Sequence, residues 1–153
     1  MAMRGPRRSA VGFTLVELIL TVAVLAILLS IAIPRLGWDT MGKVQAQTVA
    51  RQFSDHLKLA RSLAITHAST NGDGYKVVLS GPFTSYSVVN AATLETVKGP
   101  IDIPQGVACS GDSAFQFTPL GQLQGGSTLT LQFSKSSGTR VVSVTPIGRI
   151  TVQ

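Results

Sequence analysis

From Phe13 to Ile33 apolar side chains follow one another with only Thr14, Glu17, Thr21 and Ser30 interrupting them. No face of such a helix is polar, so the pattern predicts a segment surrounded by apolar material rather than one lying on a wet surface. About 21 residues rise to roughly 31 Å, the thickness of a bilayer core. Pro34 then withholds an amide and Gly37 weakens the helix further, which places a kink or a short melted stretch at 34–37.

A helical period returns afterwards. Val49, Phe53, Leu57, Ala60 and Ala64 recur at spacings of three and four, while Arg51, Asp55 and Lys58 fall on other faces, where helical ion pairs form. This second helix should end near His67 and Ala68, ahead of the turn cluster Asn71-Gly72-Asp73-Gly74. From residue 75 the period becomes two. Strands are predicted over 75–80, 85–90, 93–98, 114–117, 128–134, 139–145 and 148–152, with a hairpin turn at Ser136-Ser137-Gly138 and a break at Pro146. Helix first and antiparallel strands afterwards make the fold class α+β. The chain divides into 1–12, an apolar helix over 13–34, an amphipathic helical half over 35–70 and a β-rich domain over 71–153. No internal repeat is evident.

Charge sharpens this picture. Of a net +6, Arg4, Arg7 and Arg8 contribute half and all precede the apolar run. By the positive-inside rule they hold the N-terminus in the cytoplasm and send everything beyond Pro34 across the inner membrane. Residues 13–153 carry ten basic side chains against seven acidic ones, too small an excess to signal nucleic-acid binding by itself. Charged residues are only 13% of the chain, which suits an extracytoplasmic β domain. Cys109 is the sole cysteine, so no intrachain disulfide forms; it could pair with another chain, but a thiol packed as a small hydrophobe is favoured.

Glu17 is the anomaly. An acidic group costs up to about 3 kcal/mol at bilayer mid-depth and less near the interface, and such groups usually have a partner. A plain signal anchor would merely tolerate it near the helix N-terminus. A secretory signal peptide cut after Ser30-Ile31-Ala32 fits less well, because the apolar stretch exceeds the usual 7–15 residues and a discarded segment has no use for a carboxylate.

The whole stretch MAMRGPRRSAVG-FTLVELILTVAVLAILLSIAIP resembles the class III signal of type IV pilins and type II secretion pseudopilins. The resemblance implies that prepilin peptidase removes residues 1–12 by cutting between Gly12 and Phe13, and that the new N-terminal Phe13 is N-methylated. It implies that Glu17, fifth in the mature chain, guides assembly by meeting the methylated ammonium of a neighbouring subunit, and that Pro34 lies where many members have a proline. The stretch 53–65, with Ala60-Arg61 and Ala64-Ile65, resembles the GspH/FimT minor pseudopilins; Arg61 is there either a surface group of that family or an ordinary exposed helical arginine. The C-terminus VVSVTPIGRITVQ resembles their last strand, with its Gly148-Arg149 pair. In some FimT-like pilins a basic C-terminal motif binds DNA. Here Thr151 stands where the second arginine would, which leaves Arg149, with Lys135 and Arg140, as candidate DNA contacts, against a solvated hairpin edge. So few phosphate contacts give weak, salt-sensitive binding.

Other chemistry is sparse. His56 and His67 lack acidic or cysteine companions at metal spacing, Asn71–Gly74 lacks the carboxylates of a calcium loop, Gly42-Lys43 lacks the glycine-rich lead of a phosphate loop, and no motif singles out a nucleophile. The sequence therefore predicts no enzyme, cofactor or metal. The resemblance implies a pilin-like minor pseudopilin of the tip or initiating complex, whose partners are prepilin peptidase, inner-membrane lipid, the assembly platform and other pilins in a type II secretion or type IV pilus filament; the alternative is a FimT-like minor pilin that binds DNA during natural transformation.

Overall fold

The computed structural model describes residues 14–32, 38–136 and 138–153, and the side chains of 32 and 38–40 are not part of that description. The expected cleavage junction Gly12-Phe13 and the expected kink at Pro34 and Gly37 lie outside the described residues. The chain falls into two units, Met1–Gly37 and Trp38–Gln153.

In the first unit, helix α1 spans Leu15–Ala32. Thr14 caps it: its Oγ1 accepts the Glu17 amide at 3.2 Å, and its carbonyl accepts the Leu18 amide at 3.1 Å. Glu17 thereby occupies the third helical position of a Thr-x-x-Glu capping sequence, where a carboxylate also opposes the positive end of the helix dipole. Leucine, valine and isoleucine side chains are exposed all round α1. Among the described residues no helix is by itself long and apolar enough to cross a membrane. The 18 residues of α1 rise to about 27 Å, against the roughly 20 residues a span requires.

In the second unit, helix α2 spans Trp38–Thr66. The five apolar positions of its sequence stripe are all buried, and Ala46 and Ala50 extend that stripe by a turn. They pack on two antiparallel four-stranded sheets. The first contains β1 (Tyr75–Leu79), β2 (Ser85–Asn90), β3 (Thr96–Asp102) and β5 (Ala114–Phe117), in the order β3-β2-β1-β5. The second contains β4 (Ala108–Gly111), β6 (Leu129–Lys135), β7 (Gly138–Val144) and β8 (Ile150–Val152), in the order β4-β6-β7-β8. Alternation places Val77, Val88, Phe115, Phe117, Leu131, Phe133, Val142 and Val144 in one core with the α2 stripe. The sheets join where Leu123 bridges Phe117 and donates its amide to the Pro146 carbonyl.

Two strands depart from the expected pattern. The strand predicted at 93–98 begins at Thr96 and continues to Asp102. Residues 91–95 form a tip instead, because Asn90 Oδ1 accepts the Ala92 and Thr93 amides and Leu94 adopts a φ of 61°. Pro100 is accommodated because β3 is an edge strand whose one partner is β2. Strand β4 had no alternating signal in Ala-Cys-Ser-Gly; its place is set by pairing with β6, Cys109 opposite Phe133. The expected β6–β7 hairpin is present, with Lys135 paired to Gly138. Gly138 is needed for approach rather than for turning, since a Cβ there would lie 2.6 Å from the Cα of Lys43 on α2.

Candidate functional site

The turn after α2 is organised by Asn71, which is buried. Its Oδ1 accepts the amides of Asp73 and Gly74, and its Nδ2 donates to the Gly74 carbonyl at 2.7 Å and to Asn90 Oδ1 at 2.9 Å. Every polar position of the amide is thus committed to holding α2, β1 and the β2–β3 tip together, which accounts for the polar cluster at 71–74 as a structural turn.

His56 is also a packing residue. It is 9% exposed, and its Nδ1 lies 2.8 Å from the hydroxyl of buried Tyr86. Burial, then the positive charge of Lys98, lower the His56 pKa from its ordinary value, with Asp55 opposing. Burial pushes the Tyr86 phenol up, so it stays protonated and able to donate to a neutral imidazole. The unfolded histidine takes up a proton near pH 6.5 while the folded one resists, so the unfolded state binds more protons as pH falls. Stability should therefore be full above about pH 6.5 and decline below it. Urea midpoints of the full chain in detergent at pH 7.5 and 5.5 check this. The decline should shrink in His56→Gln, and an equal decline in both proteins would assign it elsewhere.

Cys109 is half-buried on β4, a free thiol pushed up to about 11 by burial and so uncharged at neutral pH. The sequence favoured a buried thiol; Cys109 is partly buried and packed against the core.

The residues singled out near the C-terminus are distributed differently from the expected patch. Lys135 stands at the hairpin end of β6, where its Nζ donates to the Gln105 carbonyl at 2.9 Å. Arg140, on β7, donates from Nη1 to the Thr139 carbonyl. Arg149 follows β7 at its other end, about 20 Å from the hairpin at 3.3 Å per residue. The candidate DNA contacts Lys135 and Arg149 therefore lie toward opposite ends of β7 rather than side by side.

Arg149 instead has companions on the helix. Lys58, Arg61, Ile147, Gly148, Arg149 and Ile150 line a surface depression of about 400 Å³. Arg61 is tied in by a 2.9 Å bond from its Nε to the Gly121 carbonyl. Gly148 makes this possible: it is buried, its φ is +78°, and a Cβ would run into the Gly121 carbonyl and reach 2.9 Å from Arg61 Nε. Lys58 is paired with Asp55 at 2.9 Å on the exposed helix surface. The arginine flagged in the helix and the Gly-Arg pair flagged at the C-terminus thus meet in one place.

Among the described residues no cluster of three or more His, Cys, Asp or Glu side chains is placed to hold a metal ion. At the other end of the chain, the carboxylate of Glu17 takes no part in an ion pair among the described residues.

Comparison with known proteins bears on both ends. Residues 8–33 match the family described as the prokaryotic N-terminal methylation motif. No curated protein matches the chain in sequence. Two crystal structures of the Pseudomonas aeruginosa type IV minor pilin FimU have a similar fold. The first, in space group P21, aligns with a TM-score of 0.59 at 16% identity and covers 71% of this chain and 87% of that one. The second, in space group P65, aligns with a TM-score of 0.56 at 19% identity and covers 70% and 91%. The α+β pilin fold expected from the sequence is the fold observed.

Proposed function

We propose that this type IV pilin-like protein, with its class III signal, is a structural subunit of a type IV pilus or a type II secretion pseudopilus, of the minor kind that forms the tip or initiating complex. The observation that carries the reading is Glu17, three residues into an apolar helix exposed on every side and inside the matched methylation motif. Such a helix is stable in lipid or among copies of itself, and a pilin occupies these two environments in turn. In this reading prepilin peptidase cuts between Gly12 and Phe13, Phe13 is N-methylated, and residues 13–34 hold the subunit in the inner membrane with its C-terminal domain in the periplasm. The assembly platform then passes it to other pilins in the filament. There the methylated ammonium of one subunit neutralises Glu17 of the next, so neither charge stays unpaired in the apolar core.

Mass spectrometry of the mature chain isolated from membranes tests the processing. The expected N-terminal residue is N-methyl-Phe13. An intact Met1, or a chain beginning at Ile33, would overturn the proposal.

A further inference from the structure

The depression beside Arg149 is more apolar around its rim than a phosphate-binding surface needs to be. Ile147 is 68% exposed on its wall, and Leu120 is 80% exposed beside Gly121. Ile65 packs against Gly121 from the helix, where a Cβ would approach its Cδ1 to 2.7 Å. Arg61 uses only Nε on the Gly121 carbonyl, which leaves its terminal nitrogens for a carboxylate. Lys58 is held by an exposed pair of the weak kind, which exchanges readily. A ligand for this surface carries an aliphatic knob with a carboxylate beside it.

The chain itself presents such a group. At the β2–β3 tip Leu94 is 65% exposed, and Glu95, also exposed, follows it directly. Among the described acidic residues of 38–153, Glu95 is the one whose neighbour in sequence is an exposed large aliphatic side chain. The tip is rigid: Asn90 Oδ1 accepts from Asn71 Nδ2, Ala92 and Thr93, and the Leu94 amide donates to the Asn90 carbonyl at 2.9 Å. Leu94 is held at a φ of 61°, a costly conformation for a bulky residue. A knob fixed in advance loses little freedom on docking.

Within one copy the two features do not face each other. The tip belongs to β3 at one edge of the first sheet, and β2, β1 and β5 separate it from the other edge, about 14 Å at ordinary strand spacing. The depression lies beside β8 and α2. We propose that the Leu94-Glu95 tip of one copy docks into the Lys58–Arg61–Arg149 depression of a second copy, with Leu94 against Ile147 and Glu95 between the arginines. The contact is heterologous, using different surfaces on the two copies, so it leaves a free tip and a free depression at the ends of any row. It rests on the membrane-anchored part of that reading but not on assembly into a filament, because membrane-anchored copies suffice to form it.

The test uses full chains in their own membranes, with Cys109→Ser as background. One copy carries Leu94→Cys and one tag; a second carries Ile147→Cys and another tag. Copper-phenanthroline oxidation should give a dimer bearing both tags, well above the yield when Gln132→Cys, on the exposed face of β6, replaces Ile147→Cys. Arg149→Glu in the receiving copy should lower the yield about fivefold, the upper range for an exposed pair. Glu95→Arg in the donating copy should restore it, which a merely damaged fold would not do. A yield equal to the Gln132→Cys control, or a loss that Glu95→Arg leaves unrecovered, overturns the docking. So does DNA retention that depends on Arg149 in the absence of the cross-link, since that assigns the surface to nucleic acid. N-methyl-Phe13 is read from the same sample, so failure of the docking is told apart from failure of the pilin reading.

Discussion

Glu17→Gln should leave the chain processed at Gly12-Phe13 and helical, yet lower its recovery in sheared filaments by a hundredfold or so. Three contributions of Glu17 separate in this one substitution. The bond from the Glu17 amide to Thr14 Oγ1 involves the backbone and survives any side chain. Glutamine serves as well as glutamate at the third position of a capping box. The interaction with the helix dipole, about 0.3–1 kcal/mol, is lost but small. Only the pairing proposed above, of this carboxylate with a neighbour's methylated ammonium, requires the negative charge. Removing one partner of a buried pair leaves the other uncompensated, at about 3–5 kcal/mol, which corresponds to a factor of about 10² to several 10³ in an equilibrium. Thr14→Ala is the matched control: it removes the cap, costs about 1 kcal/mol of helix stability, and should change recovery far less. Filament recovery of Glu17→Gln equal to wild type would leave Glu17 as a capping residue and nothing more.

How much of this could be read in advance depends on how local each cause is. The apolar helix and the buried stripe of α2 were legible because their periods are written in neighbouring residues, and Val49, Phe53, Leu57, Ala60 and Ala64 are all buried as the spacing requires. Strand β4 was not legible, because Ala108–Gly111 has no alternation and is a strand only through its pairing with β6, some twenty residues on. The late start of β3 has a similar origin. Glu95 continued an acceptable strand pattern, but the amides ahead of it are captured by Asn90, itself held by Asn71 from the end of α2.

The same reasoning applies to the basic surface. Arg149 was visible in the Gly-Arg pair, and Lys135 and Arg140 were assigned to it because they are near in sequence. An antiparallel hairpin carries them away, while Gly121 and Gly148 allow Arg61 to reach the same spot from the helix. The two glycines permit this approach: each has a positive φ and a neighbour too close for a Cβ. Neither fact can be seen without the packing.

Phe53→Ala should sharply destabilise the second unit without touching the processing of the first. Phe53 is fully buried on α2 and meets Tyr86, Phe115 and Phe133 edge to face, with centroids 5.1, 5.6 and 5.5 Å away. Tyr86 and Phe115 come from one sheet and Phe133 from the other, so this ring is where helix and both sheets interlock. The surrounding strands are fixed by their ladders and cannot close over the gap, which places the loss toward the upper part of the usual Phe→Ala range, about 3–5 kcal/mol. Domains of this size have about 5–15 kcal/mol in total. The urea midpoint of Phe53→Ala should fall steeply, whereas Val44→Ala, on an exposed side chain of the same helix, should stay within about 0.5 kcal/mol of wild type. The match to the N-terminal methylation motif covers 8–33, outside the second unit, so under the proposed processing the variant should still carry N-methyl-Phe13 while its C-terminal domain becomes more protease-sensitive. A Phe53→Ala chain that resists protease as wild type does would mean that the two sheets are held together by something other than this ring, the Leu123 bridge being the next candidate.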